Sequence, residues 1–387
     1  YTLKISTPNR ELQYNKVLAG EVWLCSGQSN MEFSLWGAAT AKEDVPNATN
    51  VQIRLYDMKA RWRTNPVEWE ASVLDSLNQL QYFTEASWQV CSPETAGQFS
   101  AIAYYFGKML QDSLQVPVGL ICNAIGGSPA EAWVDRRTLE YGFPAILRNW
   151  TQNDFIQDWV RGRAALNVKK SSYKFQRHPY EPCYLYEAGI LPLQQYPIKG
   201  AIWYQGCSNE DRAYQYQDLM RLLIADWRDK WGYDFPFYIT QLANYTKRQT
   251  QPTESTWAEL REAQLMAART VSNTGMAVTI DIGEAYDIHP RNKQEVGRRL
   301  ALQALNKTYG MQVACSGPVY ESYEIDGNVI RLKFSSVAGG LVVKGDKLEG
   351  FTIAGADHKF HWADAKIVGD CVELTCKDVE RPLAVRY

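Results

Sequence analysis

No long apolar run occurs anywhere in the 387 residues, which argues against a membrane-spanning helix. Nor is there an excess of charge of either sign: 41 Lys and Arg face 43 Asp and Glu, a formal net charge of −2. That balance speaks against a broad electrostatic footprint for nucleic acid or an anionic membrane. Histidine is scarce, so imidazole chemistry must fall on His178, His289, His358 or His361. The eight cysteines are scattered without zinc-ligand spacing, and Cys371 and Cys376, five apart, point to opposite faces of one strand. Neither a P-loop nor a His-Glu-x-x-His pair is present, so no metal and no other cofactor is expected.

What is present is ordinary for a globular protein, with 45% apolar and 22% charged residues. A chain of this length predicts more than one domain. Tyr1, Leu3 and Ile5 alternate with Thr2 and Lys4, so residues 1–19 are expected to hold the remnant strand or strands of an upstream β domain. From 20 to 308, short apolar runs alternate with amphipathic helices. The runs are Val22–Leu24, Val118–Cys122, Gly200–Tyr204, Pro236–Thr240 and Met276–Ile280, and they lack the polar alternation of a half-exposed strand. Ile102, Tyr105, Phe106, Met109 and Leu110 fall on one helical stripe, as do Leu219, Leu222, Leu223, Trp227 and Trp231. Strand-then-helix repetition predicts an α/β fold, a three-layer α/β/α sandwich on a parallel sheet. From 309 to 387 the period changes to two. Ile330, Leu332 and Phe334 follow an Asp326-Gly327 turn, and Val372, Leu374 and Cys376 follow Gly369-Asp370, which predicts a small antiparallel β-sandwich-like domain.

Four segments bear chemistry, and each lies just past a predicted strand. Gly27-Gln28-Ser29-Asn30-Met31 places a hydroxyl at the carboxyl edge of a sheet, where open α/β folds bind ligands. Asn123 to Pro129 contains Gly126-Gly127, whose backbone N–H groups can approach a ligand closely. Trp203 to Asn209 brings an amide able to donate to a developing oxyanion. Asp287-Ile288-His289-Pro290 supplies an imidazole, with Pro290 expected in the first turn of the helix through Val296, Leu300 and Ala304. Taken singly, each also fits a turn, a cap or a satisfied loop. Their convergence at one edge of one sheet suits acyl transfer by an activated serine, with His178 as the other available base.

These four blocks resemble the sialate O-acetylesterase family, within the broader SGNH hydrolases. The resemblance runs from about Gly20 to Leu305 and continues into Gly350–Gly355 and Pro382–Tyr387. It implies that Ser29 is the nucleophile and His289 the base, with an oxyanion hole made by the N–H groups of Ser29 and Gly127 and the amide of Asn209. Asp287, two residues before His289, is the expected acid, with Asp281 or Glu284 as alternatives, because Tyr286 occupies the position SGNH enzymes often give it. Gln28, Gln205 and Trp133 are the expected substrate contacts, Trp133 by stacking on a sugar ring. Two further departures are Cys207, where relatives usually carry glutamate, and Glu187-Ala188-Gly189 in place of Asn-Gly-Met. The implied substrate is an acetylated carbohydrate, sialic acid first, with acetylated xylan or another polysaccharide as the alternative. A carbohydrate-binding protein without catalysis is the reading from a different class. Such a substrate implies a periplasmic or extracellular setting, and members usually carry sequence beyond both ends of this chain.

Overall fold

A computed structural model describes residues 1–387 as two compact units, one of residues 1–245 and 256–309, the other of 246–255 and 310–387.

The first unit opens with a hairpin, β1 (Leu3–Thr7) and β2 (Arg10–Tyr14), so β2 is the partner that the first strand needs. Its centre is a seven-stranded sheet of β3 (Glu21–Gly27), β4 (Asn50–Asp57), β5 (Gln89–Cys91), β6 (Val118–Ala124), β7 (Gly200–Tyr204), β8 (Phe237–Thr240) and β9 (Thr274–Ala277). The order is β5-β4-β6-β3-β7-β8-β9, parallel except at the edge, where β5 runs against β4. Two of these strands escape the apolar-run criterion. In β4 only Ile53 and Leu55 are buried, and polar Asn50, Gln52 and Arg54 alternate with them. The last strand also ends at Ala277, earlier than its apolar residues suggest.

Six helices matter for the site: α1 (Ser29–Glu32), α2 (Ala101–Leu114), α3 (Asp158–Asn167), α4 (Ala213–Trp231), α5 (Thr256–Thr270) and α6 (Lys293–Lys307). Side chains of a strand alternate between faces, and the tryptophans show which helices each face meets. Trp23 of β3 packs edge-on against Phe106 of α2, while Trp203 of β7 packs edge-on against Trp227 of α4. α2 pairs with α6 and α4 with α5, which gives the helix–sheet–helix sandwich. The last helix starts at Lys293, capped by Asn292, so Pro290 lies ahead of it rather than in its first turn.

The second unit is antiparallel, with a four-stranded sheet and a three-stranded one. Val329–Ser335 pairs with Cys371–Thr375 so that Ile330 meets Leu374 and Leu332 meets Val372. With Phe351 and Ile353 these residues form its core. Residues 246–255, which the strand–helix pattern assigns to the α/β domain, belong here: Trp362 donates to the Thr250 carbonyl at 3.0 Å and Arg386 pairs with Glu254 at 2.8 Å.

All eight cysteines are free thiols. No helix is long and apolar enough to cross a membrane.

Candidate active site

The sheet order builds the site. The chain leaves β3 toward β4 and β6 on one side, then returns to β7, β8 and β9 on the other, so β3 lies at the switch point where open α/β sheets form a crevice. Gly27 pairs with Ala124 on one flank and Tyr204 on the other, so three strands end at one level. The loops bearing Ser29, Gly126-Gly127 and Gln205–Asn209 therefore emerge side by side. The bend after β3 needs a glycine: Gly27 has φ of 138°, and a Cβ there would sit 2.2 Å from the Tyr204 carbonyl oxygen.

His289 reaches Ser29 from the far side of the sheet, and its Nε2 lies 2.8 Å from Ser29 Oγ. This is hydrogen-bond contact between groups 260 residues apart. Burial, then the positive charge of Lys293, lower the His289 pKa, while Asp287 raises it. The net shift favours the neutral imidazole, the form a base requires. The other available histidine is elsewhere. His178 is fully buried against Trp69, its Nδ1 accepts the Tyr180 N–H at 2.9 Å, and burial depresses its pKa to about 3.

The acid is less direct than a hydrogen-bonded triad member. Asp287 Oδ1 accepts the backbone N–H of His289 at 2.8 Å but stands 3.8 Å from Nδ1, beyond hydrogen-bond reach. Asp281 is held by Arg299 at 2.6 and 2.7 Å, and Glu284 accepts the Arg291 N–H at 3.0 Å.

Two backbone donors lie in the loops around Ser29, one of them beside Gly126, where a Cβ would come 3.6 Å from Ser29 Cβ. Neither Ser29 N–H nor Gly127 N–H is spent on a backbone acceptor. The Gly127 donor is aimed by its surroundings. Tyr180 OH donates to the Gly126 carbonyl at 2.8 Å, and in a trans peptide the next N–H points the opposite way. Glu32 accepts the Gly126 N–H at 2.9 Å and Ser208 Oγ donates to the Gly127 carbonyl at 2.9 Å, so both sides of the turn are fixed. At Gly127, with φ of 73°, a Cβ would lie 2.3 Å from Tyr180 Oη and 2.8 Å from the Trp159 ring.

Four of the expected contact residues lie buried inside the protein. Asn209 is fully buried, its Nδ2 donating to Glu131 at 2.8 Å and its Oδ1 accepting from Ala130 N and Gln205 Nε2. It presents no solvent-facing donor to an oxyanion. Gln205 is spent on Asn209 and the Ser128 carbonyl, and Gln28 on Ser208, Gly206 N–H and Cys207 N–H, so both side chains brace loops. Trp133 has no exposed surface, and its indole donates to Ser128 Oγ at 2.9 Å. The aromatic that does face outward is Trp159 of α3, 40% exposed and lying against Gly127, which no motif marked.

Glu131, beneath this wall, is fully buried, with Oε1 unpartnered, and burial raises its pKa to about 7. A carboxyl whose folded pKa lies above its ordinary 4.5 favours the fold in its neutral form, and that contribution is lost as pH rises through 4.5 to about 7. Glu131→Gln therefore gains on wild type above neutrality, by up to ~3 kcal/mol at pH 8 relative to pH 4. Urea denaturation of both proteins at the two pH values checks this, and a pH-independent difference refutes it.

The parallel sheet layered between helices, with the Ser29 turn at its switch point, places the fold in the SGNH class of hydrolases. Residues 19–306 match the family described as carbohydrate esterase, sialic acid-specific acetylesterase, and the chain belongs to that family. It is 31% identical over 357 residues to the mouse sialate O-acetylesterase and 28% identical over 383 residues to the human one. These matches cover 83% and 93% of the chain; the chain spans 62% of the mouse protein's length and 67% of the human one's. Among solved structures, a carbohydrate acetylesterase from Xanthomonas citri superimposes with a TM-score of 0.81 at 35% identity, covering 100% of this chain and 79% of that one.

Proposed function

We propose that the chain hydrolyses O-acetyl esters of sugars, sialic acid first among them, through an acetyl-serine intermediate. The observation that carries this is the 2.8 Å contact between His289 Nε2 and Ser29 Oγ, beside the uncommitted N–H groups of Ser29 and Gly127. The Ser29 oxygen attacks the acetyl carbonyl as its proton passes to His289, and the oxyanion is received by the two N–H groups. Collapse breaks the ester bond, and the sugar oxygen leaves with the proton from His289. Water then adds to the acetyl carbon, giving a proton to His289. Ser29 takes that proton back as acetate departs. Asp287 holds the histidine loop through the backbone and supplies negative charge near the ring. No metal or organic cofactor is needed for these steps.

Trp159 supports a sugar as the leaving group, since an exposed aromatic ring against an oxyanion donor offers a stacking platform. The Xanthomonas citri relative is described as a carbohydrate acetylesterase without a named sugar, so acetylated polysaccharide such as xylan is the second reading. A glycan substrate goes with export to a periplasm or the cell exterior. The test compares acetate release from O-acetylated sialic acid, acetylated xylan and a small alkyl acetate. Acetate from either glycan supports the esterase, and the faster one names the class. Sugar binding with no acetate from any of the three overturns it in favour of a binding protein. Trp159→Ala is expected to raise KM for the sugar ester roughly 3- to 10-fold and leave the alkyl acetate unchanged.

A further inference from the structure

β3, which delivers Ser29, and β9, which precedes the His289 loop, are three steps apart in the sheet, about 14 Å at ~4.8 Å per step. The stretch from 278 to 292 that crosses this distance has no helix or strand of its own. Something must therefore fix the imbalance between a rigid nucleophile and a base on an irregular loop. Asn30 follows Ser29 directly, and Ile288 precedes His289 directly. The Asn30 side chain donates from Nδ2 to the Ile288 carbonyl at 2.9 Å, joining the two segments one residue from each reacting group. Its Oδ1 accepts from Lys293 Nζ at 2.5 Å.

The amide can adopt only this orientation. A carbonyl oxygen solely accepts and an ammonium solely donates, so Lys293 draws Oδ1 to itself and turns Nδ2 toward Ile288. We infer that Asn30 and Lys293 are positioning residues, a buried clamp that holds His289 Nε2 at the Ser29 hydroxyl.

Lys293 occupies its place at a cost. It is 1% exposed, and as the first residue of α6 it sits at the positive end of that helix's dipole. Its neighbours are the neutral amide and the faces of Phe33 and Tyr204, with Nζ 4.7 and 5.9 Å from the ring centroids. The charged and titratable groups facing it are Asp287, Cys207 and Glu284, and those facing His289 are Lys293 and Asp287. Burial lowers the Lys293 pKa to about 7. An apolar side chain would occupy this position without that penalty, whereas an ammonium both turns the amide and disfavours protonation of His289.

The inference rests on the proposed Ser29–His289 chemistry, and Ser29→Ala separates the two: an active Ser29→Ala defeats that chemistry, while an inactive one leaves the clamp to be judged alone. Asn30→Asp keeps the side-chain volume and the acceptor for Lys293 but puts a second acceptor against the Ile288 carbonyl. It is expected to lower kcat about 100-fold with KM within about threefold, because a misplacement on the order of 1 Å costs that much. Lys293→Met is expected to lower kcat about 10-fold or more and to move the acidic limb of kcat/KM to higher pH, since the cation opposing His289 protonation is gone. Wild-type kcat with an unmoved acidic limb in both folded variants overturns the clamp. Should neither variant fold, the wild-type protein still decides: an Asn30 side-chain amide proton protected from solvent exchange supports the clamp, and exchange at the rate of a free amide refutes it.

Discussion

Ser29→Ala is expected to lower kcat for acetate release by about 10⁴-fold or more while leaving sugar binding intact. The substitution removes one oxygen and little else. Ser29 opens α1, and its N–H stays on the backbone, so the oxyanion donors survive. What disappears is the atom that forms the acetyl ester and the partner of His289 Nε2. Residual turnover then reflects water attacking an ester still polarised by the two N–H groups. A phosphonate ester that labels Ser29 in the wild type and nothing in the variant confirms the loss at the level of the covalent bond. Undiminished turnover in a folded variant removes Ser29 from the mechanism.

His289→Gln is the second large effect, a fall in kcat of about 10³-fold or more, because no other group replaces the proton carrier. The informative comparison is Asp287→Asn. In a triad whose acid bonds the ring, the corresponding change costs about 10⁴-fold by favouring the wrong tautomer. Here Asp287 meets the backbone N–H of His289 and stands 3.8 Å from Nδ1, so an asparagine oxygen can keep the loop in place. Asp287→Asn is therefore expected to lower kcat no more than roughly 10-fold, against the 10⁴-fold of a ring-bonded acid. The pH dependence has a definite sign. Burial and Lys293 already hold the His289 pKa below its ordinary 6.5, and Asp287 pulls it up. Removing the aspartate charge lowers it further, so the acidic limb of kcat/KM moves to lower pH, opposite to Lys293→Met. A shift in the same direction for both variants, or a loss for Asp287→Asn as large as that for His289→Gln, contradicts this geometry.

The main architecture is legible in the sequence because parallel strands covered on both faces must be apolar throughout, and five such runs stand out. Strand β4 was hidden for the converse reason: it buries only Ile53 and Leu55 and shows polar residues to its other side. The segments bearing Ser29 and His289 were legible because they follow strands, while their proposed roles came from the resemblance of the four blocks to the esterase family. The substrate wall was not. Trp133 and Trp159 are chemically alike, yet one is sealed in the core beside Trp203 and the other lies open against Gly127.

By itself the sequence determined the layered fold and put Ser29 and His289 just past strands, since periodicity and turn chemistry are local properties; the strand order and the burial of His178 came only with the tertiary structure. Tertiary structure decided everything that depends on who faces whom. It turned the Asn209, Gln28 and Gln205 amides inward, put Asp287 on a backbone N–H instead of the ring, and set Lys293 beside Asn30. An amide or a carboxylate has several equivalent partners within reach of a short loop, and only the packing of distant segments selects one.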